Sequence, residues 1–283
     1  MGAYDLVAAD IDGTLLAPDG RLSERTRAVV SRLRDVDVTF VLATSRRYTG
    51  AAPVAAALAH VGPLILYDGA QIRGYPGGAI EATDALCAGV ARQAAEMMHA
   101  DGLRVIAQFA DEMGERMRVG PPAELVAHDE AYLAKFRSQV TVVPASELIP
   151  DDEATLRLLT FGPYDTLERA AERLSAVPCG FQLLPVGNYE AAELTVFSPS
   201  ASKGSALLGL GERLGVPRER IFAIGDGIND ISMLRAAGLG VAMGNAGPDI
   251  QAVARAVAET SSEDGAALAI ERYCLSQDMG NRR

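Results

Sequence analysis

The sequence predicts an α/β protein, a doubly wound parallel sheet interrupted by an α+β block, on three observations. Short continuous apolar runs alternate with helix-patterned segments in the first third, and the last third repeats that rhythm. The middle departs from it, mixing hairpin-like strands with helices. Uninterrupted apolar runs joined by helices are how a sheet buried on both faces reads.

The first run, Leu6-Val-Ala-Ala9, ends in Asp10-Ile-Asp12-Gly13-Thr14-Leu15. Ser23 then has the character of an N-cap for a helix carrying Ala28, Val29 and Leu33. Val38–Ala43 is a second strand ending at Thr44-Ser45-Arg46, followed by an alanine-rich helix from Ala51 to His60. Leu64–Tyr67 is a third strand, ending at Asp68-Gly69. The pattern then changes: a helix over Ala85–Ala100, a strand over Leu103–Phe109 that Glu115–Val119 can join as a hairpin, and a helix over Ala123–Arg137. Strands at Val140–Val143 and Leu156–Phe161, a helix over Thr166–Ala176 and a strand at Gly180–Leu184 complete this block. A helix over Gly204–Leu214, strands at Ile221–Ile224 and Leu239–Ala242, and a helix starting near Asp230 restore the βα alternation. The expected division is a core from 1–83 and 192–283 with an insertion at 84–191, hinged near Glu81–Asp84 and Gly187–Ala192.

Composition narrows the function. The 283 residues are 49% hydrophobic and 22% charged, ordinary for a soluble globular protein with a sizeable core. With 37 acids against 26 bases the net charge is −11, which argues against nucleic acid or an anionic membrane as a partner. Three scattered cysteines, Cys87, Cys179 and Cys274, suggest a reducing compartment, and burial is the expected fate of Cys87 and Cys274. Nothing resembles a signal peptide or a membrane span, so the cytoplasm is the expected location.

Four polar clusters fall at strand ends or helix starts: Asp10/Asp12, Thr44/Ser45, Lys203 and Asp226/Asn229/Asp230. Any one of them is an ordinary solvated turn; together they crowd one edge of one sheet, where ligands of open α/β folds bind. Bare carboxylates at the end of a buried strand are costly unless a metal or a proton in transit uses them. Asp10, Asp226 and Asp230 offer hard oxygen ligands suited to magnesium. Thr44 and Ser45 can donate to an anion, and Lys203 supplies a point charge for phosphate. A carboxylate nucleophile, a second acid, a divalent cation, hydroxyl donors and a lysine are what phosphoryl transfer through an aspartyl-phosphate requires.

Here the residues resemble a known family. Asp10-Ile-Asp12-Gly13-Thr14-Leu15 is similar to the first motif of the haloacid-dehalogenase-like (HAD) hydrolases, DxDGT. Thr44 matches the second motif, Lys203 the third, and Gly225-Asp226-Gly-Ile-Asn229-Asp230 the fourth. GDGxND, Lys203-Gly204 and the large insertion between the second and third motifs resemble the Cof-type sugar-phosphatase branch. The resemblance covers nearly the whole chain and implies a Rossmann-like core with an α+β cap that shapes the leaving-group pocket. It implies Asp10 as nucleophile, and Asp12 as general acid and then base with its carbonyl on the metal. It implies Thr44 and Asn229 on the phosphate, Lys203 neutralising charge, Asp226 on Mg2+ and Asp230 orienting metal-bound water. Two positions depart from the branch: Ser45 stands where glycine is usual in Thr-Gly-Arg, and Asp68 where asparagine is usual in Asn-Gly-Ala.

The expected activity is thus magnesium-dependent hydrolysis of a small phosphomonoester, a sugar phosphate first. A phosphomutase of the same chemistry and a non-catalytic phosphate-binding regulatory module are the alternatives. Gly209-Leu-Gly211 reads as helix packing rather than a dinucleotide fingerprint, and Lys203-Gly-Ser205 lacks the preceding glycines of a P-loop. His99 and His128 read as packing or surface residues, and the substrate identity, the cap contacts and the oligomeric state are not legible.

Overall fold

A computed structural model describes residues 3–109, 115–122, 127–186 and 191–276. The chain opens with β1 (Leu6–Ala9), whose four side chains are buried, as a strand covered on both faces must be. In α1 (Glu24–Asp35) the Ser23 hydroxyl accepts from Thr26 N at 3.0 Å, satisfying a first-turn amide. β2 (Thr39–Ala43), α2 (Tyr48–Ala57) and β3 (Gly62–Leu66) follow. Two strands absent from the expectation then extend the sheet: β4 (Gln71–Tyr75), antiparallel to β3, and β5 (Ile80–Thr83). The sequence hides β4 because Gln71 and Arg73 are polar yet buried.

The insertion holds α3 (Ala88–Ala100), β6 (Ile106–Phe109), β7 (Arg116–Val119), α4 (Ala127–Lys135), β8 (Val140–Val142) and β9 (Thr155–Gly162). It ends with α5 (Tyr164–Leu174), β10 (Gly180–Val186) and β11 (Ala191–Phe197). The expected hairpin forms, with Ile106 opposite Val119 and Phe109 opposite Arg116. The sheet order is β10-β11-β9-β6-β7-β8. Leu158, Leu194 and Val196 from this sheet pack with Ala91, Met98 and Leu167 from α3 and α5 in one core. Entry and exit of the block meet at the start of β9: Leu86 bridges Thr155, Phe197 lies opposite Arg157, and Ser200 Oγ donates to Asp84 Oδ1 at 3.0 Å.

The chain then returns through α6 (Lys203–Leu214), β12 (Ile221–Gly225), α7 (Ile231–Ala236), β13 (Leu239–Ala242), α8 (Pro248–Val253), β14 (Ala256–Val257) and α9 (Gly265–Ile270). The core sheet runs β14-β13-β12-β1-β2-β3-β4-β5, parallel from β14 to β3. Apart from the β4–β5 edge, this is the doubly wound order, and it reverses direction between β1 and β12.

The compact units are Met1–Ala82 with Ser202–Arg283, and Thr83–Ala201. This corrects the expected boundary at 192. β11 pairs with both β10 and β9, so the segment read as the start of the returning core is a central strand of the inserted sheet. Of the second expected hinge, 187–190 lie outside the described residues and Ala191–Ala192 begin β11. Residues 123–126 of the fourth helix, and the His128 side chain, also lie outside them. Cys87 is exposed rather than buried, at the N-cap of α3, whereas Cys274 is buried. Gly211 sits inside α6, where a Cβ would lie 3.0 Å from Ile221 Cδ1, so this glycine serves helix packing. No helix among the described residues is long and apolar enough to cross a membrane.

Candidate active site

The switch in strand order leaves a crevice beyond the carboxyl ends of β1 and β12, and the acids stand there. Ala9 pairs with Ile224, and Asp10 N donates to Ile224 O at 3.0 Å, so Asp10 and Gly225-Asp226 leave the sheet side by side. Lys203, first residue of α6, is completely buried and reaches both Asp10 Oδ1 and Asp230 Oδ1 at 2.6 Å. Ser202 caps this helix in a reciprocal box with Ser205, which fixes where Lys203 starts. The other oxygen of Asp230 accepts from the amides of Asp226 at 2.9 Å and Gly227 at 2.8 Å. Asp230 therefore ties Lys203 to the loop after β12.

Asp226 is held from two sides. Thr14 Oγ1 donates to its Oδ1 at 2.7 Å, and Asn245 Nδ2 to its Oδ2 at 3.3 Å while also reaching Gly13 O at 2.9 Å. Gly13 adopts φ +74°, and a Cβ there would lie 2.2 Å from Asp226 Oδ2, so only glycine lets the β1 loop lie against this carboxylate. Carboxylate oxygens of Asp10, Asp226 and Asp230 all come within 4.8 Å of one another.

Burial pushes Asp10 upward from the ordinary carboxylate range; Lys203 opposes this and Asp230 adds to it. Asp226 is also raised, mainly by burial. Burial alone would push the Lys203 ammonium down, but Asp10, Asp230 and Asp68 reverse that and hold it well above the ordinary lysine value. Three carboxylates thus crowd one ammonium, an excess of negative charge that an added cation would balance. The donor set is hard oxygen throughout, which fits Mg2+. Asp230 already accepts from Lys203 and two amides, and Asp226 from Thr14 and Asn245, so all three acids stay candidates to hold a metal.

The remaining expected residues lie around this centre. Asp12 turns outward, its side chain 59% exposed, and Arg46 grips it with Nε at 2.7 Å and Nη2 at 2.5 Å. Thr44 is buried at the end of β2, its hydroxyl oxygen accepting from Arg46 N at 3.1 Å. Ser45 is half-buried between them. Asn229 Nδ2 donates to Asp68 Oδ1 at 2.8 Å. Sequence reasoning passed over Arg46, Thr14 and Asn245 as site residues. Arg46 and Thr14 stood inside quoted motifs, whereas Asn245 follows Gly244 with the look of a common turn.

Comparison with known proteins agrees with this geometry. Residues 7–270 match the family model for haloacid dehalogenase-like hydrolases. The HMP-PP phosphatase of Serratia proteamaculans (strain 568) is 32% identical over 252 residues, 88% of this chain and 87% of that protein. The crystal structure of a haloacid dehalogenase-like hydrolase from Bacteroides thetaiotaomicron superposes with a TM-score of 0.74 at 27% identity, covering 95% of this chain and 99% of that one. A sugar phosphatase of subclass IIB shares the fold with a TM-score of 0.75 at 22% identity, covering 95% of this chain and 98% of the other. The chain belongs to the haloacid dehalogenase-like hydrolase family, in its Cof-type branch, and is an enzyme of that family.

Proposed function

We propose that this protein is a magnesium-dependent phosphatase that hydrolyses a small phosphomonoester, a sugar phosphate first among the candidates. The observation that carries the reading is the fully buried Lys203 joining Asp10 and Asp230 at 2.6 Å each, with Asp226 beside them. A binding module has no need of a buried ammonium aimed at a strand-end carboxylate, or of a second, reachable acid. The relatives point the same way, one named as a phosphatase of HMP-PP and another as a sugar phosphatase.

In the proposed reaction an Asp10 oxygen forms a bond to phosphorus while the bond from phosphorus to the leaving oxygen breaks. Asp12 gives its proton to that oxygen, so the leaving group departs as an alcohol. Water then attacks the phosphorus of the aspartyl-phosphate, Asp12 takes a proton from it, and the phosphorus–Asp10 bond breaks to release phosphate. The exposure of Asp12 suits a group that must meet both the leaving group and water; to do so it lets go of Arg46. Lys203 lowers the repulsion between Asp10 and the phosphate, and Asp230 keeps Lys203 in place. Thr44, whose oxygen already accepts from Arg46 N, has its O–H to give to a phosphate oxygen, with Ser45 and Asn229 as neighbouring donors. Mg2+, held by Asp10, Asp226 and the Asp12 carbonyl, would screen the charge of nucleophile and phosphate.

The test is release of phosphate from p-nitrophenyl phosphate. We expect turnover with Mg2+, loss of it with EDTA, and a fall on the order of 10⁴-fold or more in Asp10→Asn, the scale of losing a nucleophile. Full activity in that variant, or turnover indifferent to EDTA, overturns the mechanism.

A further inference from the structure

We infer that Asp68 is a positioning residue: its carboxylate sets the side-chain amide of Asn229 so that one Nδ2–H is anchored and the other is presented to the phosphate of the substrate. The inference rests on the phosphatase reading and concerns a residue outside the four motifs.

Asp68 stands in the turn after β3, at the same end of the core sheet as Asp10 and Asp226. Its backbone is fixed at φ 56°, ψ 26°, with Asp68 N donating to Thr44 O at 3.2 Å and Tyr67 N to Arg46 O at 3.2 Å. The next residue, Gly69, lies so close to the start of α6 that a Cβ on it would be 2.1 Å from Ser202 O. The turn therefore rests on the residues that begin the Lys203 helix. The Asp68 charge is felt there, being one of the groups that hold the Lys203 ammonium up.

A carboxylate accepts and does not donate, whereas an amide does both with its two ends. The Asn229 amide facing Asp68 has one arrangement that satisfies the contact: nitrogen toward Asp68, as in the 2.8 Å bond from Nδ2 to Oδ1. That fixes the amide's flip, which packing alone leaves two-fold. Asn229 is half-buried and sits on the loop whose next residue, Asp230, grips Lys203. With one Nδ2–H spent on Asp68, the other is left to an anion next to Lys203. A hydrogen bond given to phosphate in both ground and transition state shows in KM more than in kcat.

The backbone dictates which variants are informative. Aspartate and asparagine tolerate a left-handed conformation and glycine adopts it freely, whereas alanine there adds strain of its own. Asp68→Gly thus removes the carboxylate alone, and Asp68→Asn keeps an acceptor oxygen. With p-nitrophenyl phosphate and Mg2+ we expect KM to rise roughly tenfold in Asp68→Gly, with kcat within about threefold and the melting temperature held. Asp68→Asn, whose amide can meet Asn229 either way round, should recover only part of the loss. The double variant Asp68→Gly/Asn229→Ala should bind no worse than Asn229→Ala. A double variant whose KM rises by the product of the two single effects overturns the inference, as does an Asp68→Gly enzyme indistinguishable from the parent.

A second measurement is independent of turnover. In 15N-labelled protein the Asn229 Nδ2 proton bonded to Asp68, identified by its absence in Asn229→Ala, should be shifted downfield and protected from exchange with water, and lose both in Asp68→Gly. Unchanged Asn229 signals sink the positioning role whether or not the enzyme hydrolyses the ester. Anchored signals in a protein without phosphatase activity would retain the contact and retire the functional reading instead.

Discussion

In the core unit the buried charges crowd the strand ends, three carboxylates around one ammonium, whereas in the inserted unit charges pair off toward the surface. Arg92 meets Asp151 at 2.7 Å, Arg118 and Arg116 meet Glu153 at 2.7 and 3.2 Å, and Arg173 meets Asp101. Even the buried Arg157 ends in a neutral chain, donating to Gln108 Oε1 at 2.6 Å while Gln108 Nε2 donates to Tyr132 Oη at 2.6 Å. The lesson is in the imbalance. Paired charge contributes little and asks for nothing; an excess of buried carboxylate has to be relieved by a proton or a further cation, so it marks a candidate place for chemistry.

After Asp10→Asn itself, the largest expected effect is at Asp12, the exposed acid beside that cluster. Asp12→Asn keeps the shape and removes proton transfer, and we expect kcat for an unactivated sugar phosphate to drop by roughly 10²- to 10⁴-fold. p-Nitrophenyl phosphate, with its better leaving group, should suffer less in its first step. Equal losses on both esters in kcat/KM, which reports the steps up to phosphoryl transfer alone, would deny Asp12 the acid role. Next is Lys203→Met, which leaves Asp10 and Asp230 buried without their ammonium. A loss of about 3–5 kcal/mol in urea unfolding is expected, partly restored by Mg2+. Arg92→Ala in the inserted unit is the contrasting case: its pair is surface-exposed, so the change should stay within about 1 kcal/mol. A cost there matching that of Lys203→Met would break the comparison.

The smallest effect concerns pH. Burial holds the His60 imidazole below its ordinary value, reinforced by Arg34 and opposed by the Pro63 carbonyl that Nε2 meets at 3.3 Å. A group whose folded pKa is depressed adds no pH dependence above its unfolded value, about 6.5, and costs stability as pH falls below it. From pH 7 to 5.5 the urea midpoint should therefore shift less favourably in the parent than in His60→Phe, which keeps the ring packed near Phe40 and Tyr75. An identical pH slope in both proteins would remove His60 from the account.

Much of the core was legible because its strands are covered on both faces. Leu6–Ala9 and Ile221–Ile224 announce themselves as unbroken apolar runs, and polar residues standing at their ends are conspicuous for that reason. The same signal fails where burial and polarity coincide: Gln71 and Arg73 disguised β4, and Ala191–Ala192, which open β11, read as the end of a hinge with the core resuming after them. The principal acids and Lys203 were recognisable from motif and position. Arg46 and Asn245 were not, because what distinguishes them is a contact across the fold, to Asp12 and Asp226, rather than any pattern in neighbouring letters.

The meeting of the inserted unit's two ends at the start of β9 has a consequence for how such a chain changes over time. The entropic cost of closing a loop grows only slowly with its length, each doubling adding about 0.6 kcal/mol. Seen from the core sheet, everything between Thr83 and Ala201 is one long loop whose ends are joined by Asp84–Ser200 and both seated on β9, Leu86 at Thr155 and Phe197 at Arg157. Such a block can be lengthened, trimmed or exchanged for another whose ends also meet, while Asp10, Lys203 and Asp226 keep their strand ends. The chemistry is inherited in the sheet; the block between is free to be rewritten.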